Sequence, residues 1–145
     1  MLSYSFYKSL PAEAKYIREC VFVKEQGFEN EFDDIDNTAL HIVAYSDGKA
    51  AATGRMFPSE TANFYTIGRI AVLPEYRKLH LGSEILSQLE NKAKQLGAYG
   101  IELSAQCRVQ PFYEKNGYKA EGDVYLDEFC EHIHMSKKLW KQMSE

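Results

Sequence analysis

A basic loop joins a β-rich run to an amphipathic helical pattern in the middle of the chain. The run covers Phe64 to Leu73, and the loop from Pro74 to Gly82 carries the basic residues Arg77, Lys78 and His80. A helix that begins after such a loop presents unpaired backbone N–H groups, and its dipole favours negative charge at that end. The loop therefore predicts an anion site, with a solvated basic turn as the alternative. Its spacing matches neither a P-loop nor a GxGxxG fingerprint.

Two motifs taken together resemble the signature of a known family. Residues 77–82 read RKLHLG after a strand-ending VLP, and residues 112–118 read FYEKNGY beyond the intervening helix. The pair resembles the signature of the GNAT superfamily of acyl-CoA N-acyltransferases in the order of the motifs, in their separation and in the helix between them. The first motif of that superfamily is Gln/Arg-x-x-Gly-x-Gly/Ala. His80 stands where that motif has its first glycine, which lets the backbone approach the cofactor's pyrophosphate. A protonated imidazole there would add a charge-assisted contact.

The resemblance extends to the ElaA-like branch of that superfamily and covers the chain from about Tyr16 to Met135. The branch has a proline before its terminal histidine, and here Glu131 takes that place. The branch's hallmarks are matched by Arg18, Val21, Phe22, Val23, Glu25, Gln26, Asp33, Asp36, His41, Ala105, Gln106, Asp127, Glu128, His132 and Met135.

The resemblance implies an acetyl-CoA site and one catalytic side chain. Tyr113 matches the tyrosine proposed as general acid in many members, where a hydroxyl protonates the departing CoA thiolate. Packing of the Tyr113 ring against the sheet is the alternative role. The implied cofactor-binding residues are Ile70, Ala71, Val72 and Gln106 for the pantetheine arm, and Arg77, Lys78, Leu79, His80, Leu81, Gly82 and Ser83 for the pyrophosphate.

The general base is not assigned by the sequence. Some relatives carry a glutamate on the strand before the loop, but this chain has Thr66 at that position. An amine needs only deprotonation before it attacks, so the base can be remote or a chain of waters. The remaining side-chain candidates are Glu25, His41, Glu102 and Glu128.

Two further clusters have competing interpretations. Cys130, His132 and His134 alternate along a predicted strand, but a flat row converges poorly on a tetrahedral metal centre, so we expect no metal. The acidic segment from Glu25 to Asp36 is typical of a solvated turn. Its functional alternative is an electrostatic funnel for a cationic amine.

Composition limits the class of protein. The chain has 145 residues and a net charge of −4, from 17 basic and 21 acidic side chains, which argues against nucleic-acid binding. It has no long apolar segment for a membrane, no signal peptide, and three cysteines without a CxxC pair. We therefore expect one domain over residues 1–145, cytoplasmic and with reduced thiols. A homodimer is left open.

The elements predict an α/β (α+β) fold. Strand patterns lie at Leu2–Lys8, Ala39–Tyr45, Ala50–Phe57, Phe64–Leu73, Ile101–Ala105, Tyr118–Leu126 and Cys130–Leu139. Helical patterns follow Ser9, Gly82 and Pro111; Ser9 is the predicted cap of the first helix, which should end at about Lys24. The pair Asp47-Gly48 between two strand patterns predicts a hairpin turn. This order predicts one largely antiparallel sheet flanked by helices, and the resemblance adds a splayed central strand pair for the cofactor. The expected function is acetyl transfer from acetyl-CoA to a primary amine of a small molecule or peptide. An acyl-CoA-binding sensor or interaction module with little catalysis is the alternative.

Overall fold

The computed structural model describes residues 1–140, and the chain divides into two compact units. Unit 1 comprises Met1–Phe57 and Ile67–Leu89, and unit 2 comprises Pro58–Thr66 and the chain from Glu90 onward. The organisation of residues 1–145 as one domain stays a prediction. Within residues 1–140, no helix is both long and apolar enough to cross a membrane.

The helices and strands follow the predicted order. The strands are β1 Leu2–Tyr7, β2 Leu40–Ser46, β3 Lys49–Pro58, β4 Phe64–Val72, β5 Gly100–Gln106, β6 Lys119–Asp127 and β7 Cys130–Lys138. The α-helices are α1 Ala12–Arg18, α2 Leu81–Gln95 and α3 Gln110–Lys115. Short helical turns are a π-helical one at Glu19–Glu25 and 3₁₀ turns at Asp34–Asn37, Pro74–Leu79 and Cys107–Val109.

The sheet is mixed and largely antiparallel, as predicted. Its strand order is β1-β2-β3-β4-β5-β7-β6, and β4 and β5 are parallel neighbours. These two strands pair through Phe64–Thr66 and Gly100–Glu102. Each strand then continues, β4 to Val72 and β5 to Gln106, where Gln106 is paired with His132 of β7. The expected mixed fold is therefore confirmed.

The β2–β3 hairpin forms at the predicted Asp-Gly turn. Asp47 and Gly48 both have positive φ, 50° and 83°. This is the requirement of a type I′ turn, whose twist matches that of the flanking strands.

The first helix starts and ends differently from the sequence prediction. The residue that precedes it is Pro11, and no side chain caps it, so the predicted Ser9 cap is wrong. Beyond Arg18 the helix widens into the π-helical turn, which closes with hydrogen bonds such as Gln26 N–H to the Val21 carbonyl at 3.1 Å. The widened turn carries the chain to Glu25, close to the predicted end at Lys24.

In unit 1, helix α2 approaches β3 at a glycine. A Cβ on Gly54 would lie 2.9 Å from Ile85 Cγ2 and 3.2 Å from Leu89 Cδ1. Ile85 and Leu89 are fully buried. Because only a residue without Cβ allows this approach, Gly54 determines how closely the start of α2 packs on the sheet.

In unit 2, strand β5 alternates between a buried face and a polar face. Ile101, Leu103 and Ala105 are at most 3% exposed and belong to the core. Glu102, Ser104 and Gln106 point to the other face, since successive strand side chains alternate. The candidate residues Glu102 and Gln106 therefore lie on one polar surface of the strand.

Candidate active site

The basic loop of unit 1 is a 3₁₀ turn that leads directly into α2. The turn Pro74–Leu79 ends at His80, which has left-handed backbone angles of φ 57° and ψ 32°. The His80 carbonyl accepts the Glu84 N–H at 3.3 Å and so begins the hydrogen-bonding of α2. A side chain in this conformation costs about 1–2 kcal/mol relative to right-handed backbone, and glycine, which stands here in the resembled motif, avoids this cost. His80 itself is exposed.

Arg77 is fixed by contacts within unit 1. Its Nε donates to the Val72 carbonyl at 3.1 Å, and its two terminal nitrogens donate to the Glu25 carboxylate at 2.9 and 2.6 Å. The pair joins the basic loop to the end of the π-helical turn. Glu25 is thus an ion-pair partner of the loop, which makes it a poor candidate for the general base.

The segment Ile70–Val72 follows an irregular point in β4. Arg69 has φ 55°, although it lies inside the strand. Ala71 is 3% exposed, and the next residue but one, Leu73, donates its N–H to the Ala51 carbonyl at 2.9 Å. A non-glycine residue at positive φ within a strand is uncommon and typical of functional or strained positions.

Six charged side chains form a network in unit 1, which we call the arginine–carboxylate cluster. Four of them are buried, while Arg69 and Asp33 are 26% and 36% exposed. Arg18 is 1% exposed; its Nε donates to Glu31 at 2.8 Å, and its terminal nitrogens donate to Asp36 at 2.8 and 3.0 Å. Its guanidinium also lies over the Phe32 ring at 4.8 Å. The members are Arg18, Arg55 and Arg69 with Glu31, Asp33 and Asp36.

The other two arginines complete the charge balance of the cluster. Arg55 donates to Asp33 at 2.6 Å and to Asp36 at 2.8 Å. Its own Nε is buried and has no hydrogen-bond partner among residues 1–140. Arg69 lies 3.0 Å from a Glu31 carboxylate oxygen and 3.4 Å from Asp33. Three positive charges therefore face three negative charges, as buried ions require.

The cluster corrects the interpretation of the acidic segment. Glu31 and Asp36 are 5% and 3% exposed, so a solvated turn is wrong for these two residues. Burial opposes ionisation of Asp36, but hydrogen bonds from Arg18 and Arg55 outweigh it and lower its pKa to about 2. For Glu31 burial dominates and raises the pKa despite the arginines. Because arginines neutralise these carboxylates, they offer little field to attract a cationic amine.

His41 is held in the same region as a neutral side chain. It is 1% exposed, and its Nε2 donates to the Asp36 carbonyl at 3.0 Å. Burial lowers the pKa of His41, and this effect outweighs the hydrogen bond and charge of Asp36, which raise it. A buried imidazole with this contact orients the Asp36 backbone, which is a structural role.

Tyr113 lies on α3 in unit 2 among other aromatic rings. Its ring packs edge-on against Phe112 at 5.0 Å and against Tyr118 at 5.9 Å. Burial raises its pKa to about 12, so the hydroxyl keeps its proton at neutral pH. Within residues 1–140 that hydroxyl has no hydrogen-bond partner, which leaves it available to donate to a ligand.

The hydroxyl of the neighbouring Tyr118, unlike that of Tyr113, is held by a hydrogen bond. Its hydroxyl donates to Glu90 at 2.7 Å, and Lys137 donates to the other Glu90 oxygen at 3.0 Å. Burial and the Glu90 charge raise the Tyr118 pKa. Tyr118 therefore supports the Tyr113 ring from a fixed position.

Glu102 lies at the last paired position of β4 and β5. It is the register partner of Thr66. Its carboxylate accepts a hydrogen bond from His134 Nε2 at 3.0 Å. Burial opposes its ionisation, but bonds from Ser59, His134 and Thr61 outweigh that cost and lower its pKa.

His132 and His134 of β7 each contact groups close to them. His134 Nδ1 lies 3.4 Å from Glu121, and His132 Nδ1 donates to the Cys130 carbonyl at 3.0 Å. No group of three or more His, Cys, Asp or Glu side chains in the described part of the chain could hold a metal ion.

Gln106, a predicted cofactor contact, and Glu128, a candidate base, are the last two site residues named from the sequence. Gln106 ends β5, where its Oε1 accepts a hydrogen bond from Arg108 at 3.0 Å. Glu128, a candidate base, is exposed at the β6–β7 turn with φ 55°. Neither observation assigns a catalytic role.

A family model described as an acetyltransferase (GNAT) domain matches residues 12–139 of this chain. The chain belongs to the GNAT family. It is therefore an acyltransferase, as its sequence motifs predict. An uncharacterised N-acetyltransferase of Bacillus subtilis, YjcF, is 38% identical over 128 residues, covering 86% of this chain and 90% of the relative.

Solved structures confirm the GNAT fold. A candidate N-acetyltransferase from Lactobacillus plantarum has a TM-score of 0.88 and 28% identity, covering 96% of this chain and 99% of the other. ElaA of Escherichia coli has a TM-score of 0.82 and 23% identity, covering 94% and 99%. The family and its ElaA-like structural resemblance are thus as predicted.

The residues that sequence reasoning missed are Arg55 and Arg69. Both lie on predicted strands, and only the fold brings them to carboxylates 19 to 38 positions away. The one local signal was Gly68 beside Arg69, because glycine inside a strand often marks a bulge.

Proposed function

We propose that this acyltransferase moves an acetyl group from acetyl-CoA to a primary amine of a small molecule or peptide. Membership of the family supports the use of an acyl-CoA. The observation that carries the proposal further is the loop of residues 77–83, which ends at the N-terminus of the 15-residue helix α2. Backbone N–H groups at such a terminus suit a pyrophosphate.

The cofactor would bind along the end of β4 and the basic loop. Ile70, Ala71 and Val72 of unit 1 offer main-chain groups for the pantetheine amides. Gln106 of unit 2 stays a candidate for the pantetheine arm on the family resemblance alone. The N–H groups of Lys78 to Ser83 suit the pyrophosphate, with the Lys78 ammonium beside them. Arg77 is committed to Glu25, so its role would be to shape the loop.

Tyr113 would act on the leaving group. Attack by the neutral amine forms a C–N bond, and the nitrogen then loses one proton to water or to a remote base. Collapse of the tetrahedral intermediate breaks the C–S bond and expels a thiolate. An ordinary thiol has a pKa of about 8.5, well below the value of about 12 for Tyr113. The tyrosine hydroxyl is therefore best suited to stabilise the thiolate by a hydrogen bond, and complete proton transfer from the phenol is uphill.

We place the enzyme in the cytoplasm, without a metal. The supporting observation is that Cys20, Cys107 and Cys130 are free thiols. Free thiols are typical of reducing compartments. Amine acetylation needs no Lewis acid, because the thioester is already activated and the amine is the nucleophile.

Cofactor binding is tested by thermal unfolding with coenzyme A. A ligand at a hundredfold excess over its dissociation constant stabilises the fold by about 2.7 kcal/mol, which raises the melting temperature. Gly82→Asp should abolish the increase by adding bulk and negative charge beside the pyrophosphate, and Gly82→Ala separates bulk from charge. No increase in the wild-type protein at millimolar coenzyme A rejects the site.

Catalysis is tested by thiol release from acetyl-CoA in the presence of a panel of primary amines and amine-bearing peptides. Release that depends on the amine identifies an N-acetyltransferase and its acceptor class. Binding of coenzyme A without amine-dependent release for any acceptor would favour the acyl-CoA-binding module instead.

A further inference from the structure

Arg69 combines an unusual backbone with an ionic side chain. Its φ of 55° lies in the left-handed region, and it directly precedes Ile70–Val72, the segment proposed to bind the pantetheine arm. An arginine gains nothing from this conformation by itself, since its Cβ crowds the following carbonyl. Some other interaction must therefore hold the kink.

The side chain of Arg69 supplies that interaction. Its Nε lies 3.0 Å from a Glu31 carboxylate oxygen and donates to the Glu31 main-chain carbonyl at 3.1 Å. A terminal nitrogen reaches Asp33 at 3.4 Å. Both carboxylates are themselves held, Glu31 by Arg18 and Asp33 by Arg55, so the guanidinium is docked on a prearranged acceptor.

The residue after the kink is anchored by packing. Ile70 Cγ1 would lie 3.4 Å from a Cβ on Gly54, at the place where Ile85 and Leu89 of α2 approach the same strand. The kink is thus fixed by charge at Arg69 and by apolar packing at Ile70. The orientation of the following peptide groups is set by both.

We propose that Glu31 and Arg69 are positioning residues for the cofactor. The arginine–carboxylate cluster holds residue 69 in the left-handed conformation, and this conformation presents the main chain of Ile70–Val72 to the pantetheine arm. The inference rests on the proposed acyl-CoA site. It assigns to Glu31 a role in cofactor affinity, in addition to its place in the core of unit 1.

The test is calorimetric titration of coenzyme A into the full chain and four variants. Arg69→Ala and Arg69→Gly both remove the ion pairs, but only glycine adopts positive φ without a steric cost. We expect the dissociation constant to rise about tenfold for alanine and about threefold or less for glycine. A purely structural role of the side chain predicts equal values for the two variants.

The second pair of variants distinguishes an effect on the backbone of residue 69 from a loss of stability of the whole cluster. Glu31→Gln removes a carboxylate that contacts Arg69, and Asp36→Asn removes one that contacts only Arg18 and Arg55 among the cluster's arginines. Both should lower the melting temperature, but Glu31→Gln should weaken coenzyme A binding about fivefold and Asp36→Asn less than twofold. This comparison decides the matter if Arg69→Ala fails to fold.

The outcomes are distinguishable. If the wild-type protein does not bind coenzyme A, the proposed function fails and the inference fails with it. In a second outcome the wild type binds coenzyme A, and Arg69→Ala, Arg69→Gly and Glu31→Gln bind it as tightly as the wild type does. In that case only the positioning role is overturned. Equal weakening by Glu31→Gln and Asp36→Asn also overturns it, since the cluster then acts through general stability.

Discussion

The guanidinium of Arg77 donates two hydrogen bonds to the carboxylate of Glu25, at 2.9 and 2.6 Å. Arg77 occupies the first position of the cofactor-loop motif, and Glu25 belongs to the N-terminal hallmark of the branch. The pair therefore connects two motifs that are separated by 52 positions in the chain. Both side chains are 42% exposed, so the pair stabilises the fold by at most about 1 kcal/mol.

Glu25→Gln is expected to tighten coenzyme A binding while leaving stability nearly unchanged. The substitution removes a negative charge beside the loop and leaves the Arg77 charge uncompensated, which favours an anionic ligand. The gain should be a few-fold at low ionic strength and should shrink with added salt. Glu29→Gln is the control, because it removes the same charge from another exposed residue, whereas Arg77 is paired with Glu25. The affinity for coenzyme A is measured by calorimetry. An equal change in both variants would mean that net charge, and not the Glu25–Arg77 pair, controls the affinity.

Tyr113→Phe is expected to lower turnover by about 100-fold to 1,000-fold, the usual effect of removing one hydrogen-bond donor to a developing negative charge. Stability should barely change, because the Tyr113 hydroxyl has no hydrogen-bond partner among residues 1–140. Steady-state kinetics and thermal unfolding measure the two effects. Tyr118→Phe is the matched control: it loses the bond to Glu90 and should cost about 0.5–1.5 kcal/mol of stability. Unchanged turnover of Tyr113→Phe, with chemistry rate-limiting, would reduce Tyr113 to a packing role.

His80→Gly is expected to stabilise the protein. Relief of the left-handed conformation contributes about 1–2 kcal/mol, and the added chain entropy of glycine offsets about 0.5–1 kcal/mol of it. The net gain should appear as a higher denaturant midpoint. His80→Ala, which keeps the steric cost and removes the imidazole, should show no such gain.

The same pair of variants tests whether the imidazole contacts the pyrophosphate. A contact would make both variants bind coenzyme A more weakly than the wild type in calorimetric titration at constant ionic strength. If His80→Gly instead binds more tightly, the histidine only obstructs the loop.

Asp36 makes the fold sensitive to acid. Its pKa falls from 3.8 to about 2 in the folded chain, so the unfolded state binds protons first as the pH drops. Asp36 contributes about 2 kcal/mol to the free energy of unfolding at a pH above the pKa of the unfolded state. This contribution is lost between about pH 5 and pH 2. Glu31, whose pKa is raised by burial, shifts stability in the opposite sense. Denaturant unfolding from pH 3 to 7 measures the slope.

Asp36→Asn is expected to flatten that slope and to cost about 3–5 kcal/mol at pH 7, because Arg18 and Arg55 remain buried with one partner fewer. Asp34→Asn changes a neighbouring exposed carboxylate and should do neither. A wild-type slope that persists in Asp36→Asn would place the acid sensitivity elsewhere.

The strand and helix order, the Asp47–Gly48 turn and the family motifs could be predicted from the sequence. These features depend on interactions between residues close in the chain, such as alternation, helical periodicity and turn conformation. The glycine position of the motif at residue 80 was visible in the same way, but its left-handed backbone was found only in the structure. Tyr113 became a candidate because its motif is short and contiguous, and its catalytic role stays a prediction.

The arginine–carboxylate cluster was decided by the tertiary structure. Glu31 and Asp36 look like part of an acidic surface loop until Arg55 of β3 and Arg69 of β4 reach them from distant positions. Burial of a charge is favourable only when its partners arrive together, and no local pattern reports that. For the same reason the kink at Arg69 and the register of Thr66 with Glu102 depend on strand pairing, which the sequence of either strand alone does not contain.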